Sequence, residues 1–234
     1  MTKAKVATAF VGAAMIFSSC STATGNGALI GTGGGALLGA IVGKLAGNTA
    51  VGAAVGAAVG AGTGAIIGKH MDKVKAETAA KLQNANVTEV TDANGLKAVK
   101  VTFNSGILFG SGNATLSSTA ATELTNFAAV LKNNTDCSVA IQGYTDNDPW
   151  KGSTAEQSAQ KNLNLSQKRA DAVKSKLNSL GVSNSQIKSS TGFGEANPVA
   201  DNSSAAGKAQ NRRVEVYLYA SEAMINAANN GSLQ

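Results

Sequence analysis

A carboxylate at Asp146, just past an apolar run that ends in Gly143, and a guanidinium at Arg169, on the helix-forming segment that follows, can converge on one pocket. Such a pair has two readings. It is either a loop-to-helix salt bridge, worth about 0 to 1 kcal/mol, or a receptor for a ligand that carries both charges. Few other residues compete for chemistry. With one histidine (His70) and two cysteines (Cys20 and Cys137) in 234 residues, a zinc cluster, a disulfide framework and a His-dependent triad lack their parts. Asp146 and Asp148 are too close in sequence to be read as an acid–base pair, and no Ser or Cys is paired with a His. No enzymatic activity, cofactor or metal is expected. The net charge of +6 is scattered rather than clustered, which argues against a nucleic-acid partner.

Several elements must hold that pair. Val87–Thr91 and Lys97–Phe103 flank Asp92-Ala93-Asn94-Gly95, a hairpin signal. Leu116–Leu131 reads as a helix opened by Ser117 or Ser118, Ser138–Gly143 as a strand, and Asn162–Leu180 as a helix with Leu163, Ala170, Val173, Leu177 and Leu180 on its stripe and Gly181 at its end. Ile187–Phe193 and Arg213–Tyr219 supply two more strands, the latter turning Val214, Val216 and Leu218 inward. The order ββαβαββ is an α+β sandwich with helices on one face of a sheet. Cys137, at the start of an apolar strand, reads as a buried small hydrophobe.

The first 85 residues have another composition. Residues 1–19 carry Lys3 and Lys5, an apolar run from Val6 to Phe17 and then Ser18-Ser19, the plan of a secretory signal. Cys20 follows two small residues, and this resembles the lipobox of bacterial lipoproteins, where the cysteine is acylated. Two or three acyl chains hold a protein on a membrane where one would not. Residues 20–28 are then the lipidated terminus and a linker. Of 27 glycines, 15 fall between Gly25 and Gly68, with Lys44 as the one charge. They recur every four residues, at 31, 35, 39, 43 and 47 and again at 52, 56, 60, 64 and 68, around an Asn48-Thr49 break. That spacing keeps them on one helical face. Each interior glycine costs a helix about 1 kcal/mol, so the ladders need close helical partners, and a hairpin over 29–69 packed ladder to ladder is the reading. Residues 70–85 read as a solvated helical spacer with Lys73, Glu77 and Lys81 at spacing four, His70 sitting solvated or interfacial at its start. The folded domain is expected over 86–221, with 222–234 a tail.

Phe109–Leu116 (FGSGNATL), Gly143-Tyr144-Thr145-Asp146-Asn147, Asn162–Ala170 (NLNLSQKRA), Gly192-Phe193-Gly194-Glu195 with Asn197-Pro198, and Gln210–Glu215 (QNRRVE) stand in an order that resembles OmpA-like peptidoglycan-binding domains. The lipobox and zipper resemble the outer-membrane lipoproteins of that group. The resemblance implies a βαβαββ sandwich that grips the diaminopimelate of a wall stem peptide without catalysis. It implies that Asp146 accepts the ligand ammonium and that Arg169 clamps the carboxylate in the bidentate geometry Lys cannot reproduce. Arg212 adds a positive contact, while Thr145, Asn147, Asn162 and the backbone around Gly112 serve as rim donors. Of Arg212 and Arg213, alternation turns one to the pocket and the other to solvent.

One departure stands out. The stretch 148–160 is longer than the family's turn and carries the only tryptophan, Trp150, read as a loop-stabilising aromatic ahead of a stacking surface. The expected protein is a tether, lipid-anchored in the outer membrane through Cys20 and the zipper, its domain in the periplasm holding peptidoglycan. The alternative is a membrane-active or self-associating zipper protein for which the domain is only a mooring.

Overall fold

The computed structural model describes residues 59, 62–92 and 95–233. The signal peptide, Cys20, the linker, the first ladder and the second ladder up to residue 61, Val59 apart, lie outside the described residues.

Helix α1 spans Thr63–Lys81 and starts from Gly62, whose φ of 86° is the left-handed conformation that glycine adopts without strain. It carries the last two ladder glycines, Gly64 and Gly68, straight into the segment expected as a spacer. That segment is not separate: the face with Lys73 and Lys81 is solvated as expected, but the other is packed. Ile67, Met71 and Val74 recur every three to four residues and are buried in the core of the domain. One apolar side chain per turn suffices for docking, since each buried side chain contributes about 1.5–3 kcal/mol.

Strands β1 (Ala85–Thr91) and β2 (Lys97–Asn104) form the expected antiparallel hairpin, turning at Gly95 with φ 79°. A four-residue helix α2 (Ser105–Leu108) follows, then α3 (Ser118–Asn133), whose Ser117 cap accepts from the Ala120 amide. β3 (Cys137–Gly143), α4 (Ala155–Ser179) and β4 (Ile187–Gly192) make a crossover unit with parallel strands. Helix α5 (Ala205–Asn211) leads into β5 (Arg213–Ala220), and α6 (Glu222–Asn229) ends the fold. Residues expected as a tail thus include a helix that seats Met224, Ile225 and Ala228 in the core.

The sheet order is β1-β2-β5-β3-β4, antiparallel except for β3–β4. Side chains from α1, α3, α4 and α6 share one core with Val101, Phe103, Ile141, Val214, Val216 and Leu218. Phe103 meets Phe127 edge-on at 5.8 Å. The α+β class with helices on one face of the sheet is as expected. Central position buries all eight residues of β5, so Arg213 does not face solvent as alternation suggested.

Candidate functional site

The cleft is built by helix α4 lying against the ends of β3 and β4. Two glycines permit the approach: a Cβ on Gly143 would collide with the Ser166 backbone, and one on Gly192 with the backbone of Gln167. Helix α4 begins at Ala155, two turns earlier than its apolar stripe suggests, because Thr154 and Gln157 form a reciprocal capping box. The long 148–160 segment is therefore a short loop plus those added turns. The inward face of α4 changes character along its length. Ser158, Asn162, Ser166 and Arg169 are buried at spacings of four, four and three, and Ala170, Val173 and Leu177 continue inward as the apolar half.

Asn162 and Arg169 of the polar half line a cleft of about 670 Å³ with Ser105, Phe109, Gly112, Thr145, Asp146, Trp150 and Arg212 among its walls. Asp146 and Arg169 converge there, both buried, and they are not paired with each other. Asp146 accepts from Arg212 Nη1 through Oδ2 and from the Asp148 amide through Oδ1 at 3.2 Å. Arg169 donates from Nε to the Asn113 carbonyl at 3.0 Å and from Nη1 to Ser105 Oγ at 3.4 Å, with its guanidinium 5.3 Å from the Phe109 ring centre. Its Nη2 makes no hydrogen bond among the described residues. Burial holds the Arg169 pKa below its usual value; the Asp146 charge opposes that shift and the Arg212 charge adds to it. The group remains a cation.

Thr145 presents Oγ1 buried and without a hydrogen-bond partner among the described residues, while its amide donates to the Gly194 carbonyl. Such a hydroxyl stabilises the site only once something bonds to it. Gly112 turns the facing loop at φ 66°. Asn162 belongs to the cleft as scaffold: its Nδ2 bonds the Asp148 carbonyl at 3.3 Å, and its Oδ1 accepts the Trp150 indole N–H at 2.7 Å. Trp150, fixed also through its amide to Ser158 Oγ, stabilises the loop as expected and forms one wall. Asn147 is exposed and lies outside the cleft walls, so the structure does not bring it to the site.

The paired arginines divide differently from expectation. Arg212, half-exposed at the end of α5, reaches Asp146, while Arg213 is locked on the opposite side of the sheet. It donates to Glu215 Oε1 at 2.8 Å and to the carbonyls of Asn211 and Asn197, and it stacks 3.8 Å from the Tyr144 ring centre. Sequence reasoning also passed over Ser105 and Phe109 as partners of Arg169. Phe109 opens the FGSGNATL run and could have been singled out there; Ser105 carries no local signal.

The domain is thus a mixed sheet with four core helices on one face and a cleft where an acidic loop meets a basic helix. Residues 108–212 match the model of the OmpA family, and residues 1–72 that of the YMGG-like Gly-zipper. The OmpA match falls within the folded domain described above. It is 38% identical over 152 residues to the probable lipoprotein YiaD of Escherichia coli, covering 65% of this chain and 64% of that protein. It is 37% identical to the peptidoglycan-binding protein ArfA of Mycobacterium tuberculosis, over 48% of this chain and 32% of that one. Among solved structures, the cell wall anchor of the T6SS from Pseudomonas aeruginosa superposes with a TM-score of 0.51 at 27% identity, over 64% of this chain and 96% of that one. The chain thus spans between about a third and two thirds of the length of these curated relatives.

Proposed function

We propose that the cleft binds the diaminopimelate of peptidoglycan and that the protein is a non-catalytic tether between the outer membrane and the wall. The observation that carries this reading is a buried carboxylate and a buried guanidinium that share one cleft without neutralising each other. A zwitterionic amino acid matches that arrangement: its ammonium goes to Asp146 and its carboxylate to the open edge of Arg169. Thr145 Oγ1 gains the partner it lacks. Arg212, already on Asp146, shifts toward the ligand carboxylate as the ammonium takes its place. The names of the relatives, a peptidoglycan-binding protein and a cell wall anchor, fit this assignment. A lipoprotein relative and the Cys20 motif support an envelope protein held by acyl chains, with the domain in the periplasm.

The test is co-sedimentation of the full chain, in detergent, with purified sacculi. Asp146→Ala and Arg169→Ala are each expected to abolish it, because each leaves the opposite charge of the ligand buried and unpaired. Unchanged sedimentation of both folded variants rejects the site. The zipper match supports a second reading, a membrane-active or self-associating segment for which the domain is a mooring. Leakage of liposomes on adding the segment 25–68 distinguishes the two.

A further inference from the structure

A second cluster of chemically able side chains lies at the other end of β3. Cys137 opens that strand, and Asp146 lies beyond its last residue, roughly 20 Å away at about 3.3 Å per residue. Beside Cys137 sit Asp136 and, brought in by α1, His70; one donor atom from each lies within 4.8 Å of the other two. His70 Nε2 is 3.2 Å from Asp136 Oδ2 but lacks the alignment of a hydrogen bond, and both ring nitrogens are buried without a hydrogen-bond partner among the described residues. An imidazole placed for an ordinary ion pair would aim an N–H at the carboxylate. Here neither nitrogen is satisfied, although a carboxylate and a thiol are within reach.

We propose that His70, Asp136 and Cys137 form a zinc site that staples α1 to the start of β3. Nitrogen, thiolate sulfur and carboxylate oxygen are the three donor types zinc takes in protein sites, and three protein ligands leave a fourth position for water. Donors around one tetrahedral zinc stand about 3.3–3.8 Å apart, given bonds of about 2.0–2.3 Å, so a set already within 4.8 Å has about 1 Å to close. Access is from the Asp136 side, whose side chain retains 31% of its surface, since the His70 ring nitrogens and Cys137 are buried. Binding replaces the thiol proton with a zinc–sulfur bond and releases that proton to solvent. The oxygen donor and the imidazole favour zinc. The Met71 thioether, 3.9 Å from Cys137 Sγ, is what copper(I) would use instead. The staple would fix the helix leading from the zipper without touching the cleft.

The experiment is titration of the full chain, in detergent, metal-free and with thiols reduced, first with cobalt(II) and then with zinc. The expected result is one cobalt per chain with a near-ultraviolet cobalt–thiolate band, displacement by zinc, and about one proton released per zinc. Cys137→Ser and His70→Gln should each weaken zinc by at least about tenfold, and zinc should raise the melting temperature of the parent chain but not of these variants. Because Cys137→Ser alters the core, Asp136→Asn at the half-exposed position gives a second measure, with circular dichroism confirming each fold. Absence of the cobalt–thiolate band overturns the site, as does zinc affinity unchanged in His70→Gln and Asp136→Asn. Copper(I) binding that needs Met71 and Cys137 but neither His70 nor Asp136 overturns the zinc assignment. Sacculus binding should be indifferent to the metal, which separates this site from the wall-binding cleft.

Discussion

Two arginines in this domain are each 3% exposed, and they lead opposite lives. Arg213 has a carboxylate (Glu215), two carbonyls and a stacked tyrosine, so each of its three nitrogens has a partner. Arg169 has one carbonyl, one long contact to a hydroxyl and an aromatic ring beneath it, with no carboxylate within salt-bridge distance and no partner for Nη2 among the described residues. Burying a guanidinium costs several kcal/mol unless it is paired. Arg213 meets that cost within the fold and acts as a structural member. Arg169 leaves part of it unmet, which is what the proposed anion site requires. Burial alone therefore does not distinguish structure from function; the list of partners does.

The sharpest way to break the contrast is to remove each side chain in turn and measure stability apart from binding. Arg213→Ala leaves buried Glu215 with only the Tyr217 hydroxyl and the Lys100 ammonium at 3.9 Å, and a loss of about 3 kcal/mol in denaturant unfolding is expected. Arg169→Ala should be different: unfolding changes by under about 1 kcal/mol, because only weak internal bonds go, while affinity for a diaminopimelate peptide falls by at least about 2 kcal/mol. If Arg169→Ala destabilises as much as Arg213→Ala, both arginines are structural and the contrast disappears.

The same pair shows what could be read in advance. Local signals placed the strands and helix α3 well, since Ser117 and the period of Leu124, Phe127 and Leu131 are properties of a short window. Motif order brought Asp146, Arg169 and Arg212 together. Arg213 was misplaced because alternation says which face a residue takes, not whether that face is covered. Polar Ser158, Asn162 and Ser166 look like solvent positions until Gly143 and Gly192 draw the helix down on the sheet. Docking of α1 escaped notice for a related reason: Ile67, Met71 and Val74 are sparse among Lys and Ala, and only the sheet makes a stripe of them.

The face that holds Arg213 should also answer to alkali. Tyr144, Tyr217 and Tyr219 share it; burial raises the pKa of all three, that of Tyr219 to about 12 from 10.0. A phenol whose folded pKa lies above its unfolded value holds its proton better when folded. Its contribution is complete below pH 10 and declines as pH rises toward 12. Stability should thus fall above pH 10 by up to about 1.4 kcal/mol per pH unit for each tyrosine, followed by denaturant midpoints at successive pH values. Flat midpoints from pH 10 to 11.5 would mean that these hydroxyls are not protected. The cleft contributes no tyrosine to this transition.

The smallest effect expected is at Arg212, and it tests the cleft rather than the scaffold. Its side chain keeps 38% of its surface while Asp146 keeps 8%, so their ion pair is held at one end and solvated at the other. Such a pair is worth about 0 to 1 kcal/mol to the fold. In the proposed complex it has two opposing parts, as competitor with the ammonium for Asp146 and as second cation for the carboxylate. Arg212→Ala should leave unfolding nearly unchanged and alter affinity by under about 1 kcal/mol at low salt. The affinity of the parent chain should drop more steeply with added salt than that of the variant, because an exposed charge is screened and a buried one is not. Titrations of one peptide at two ionic strengths decide it. Equal salt slopes would place Arg212 outside the ligand's field and leave recognition of the carboxylate to Arg169.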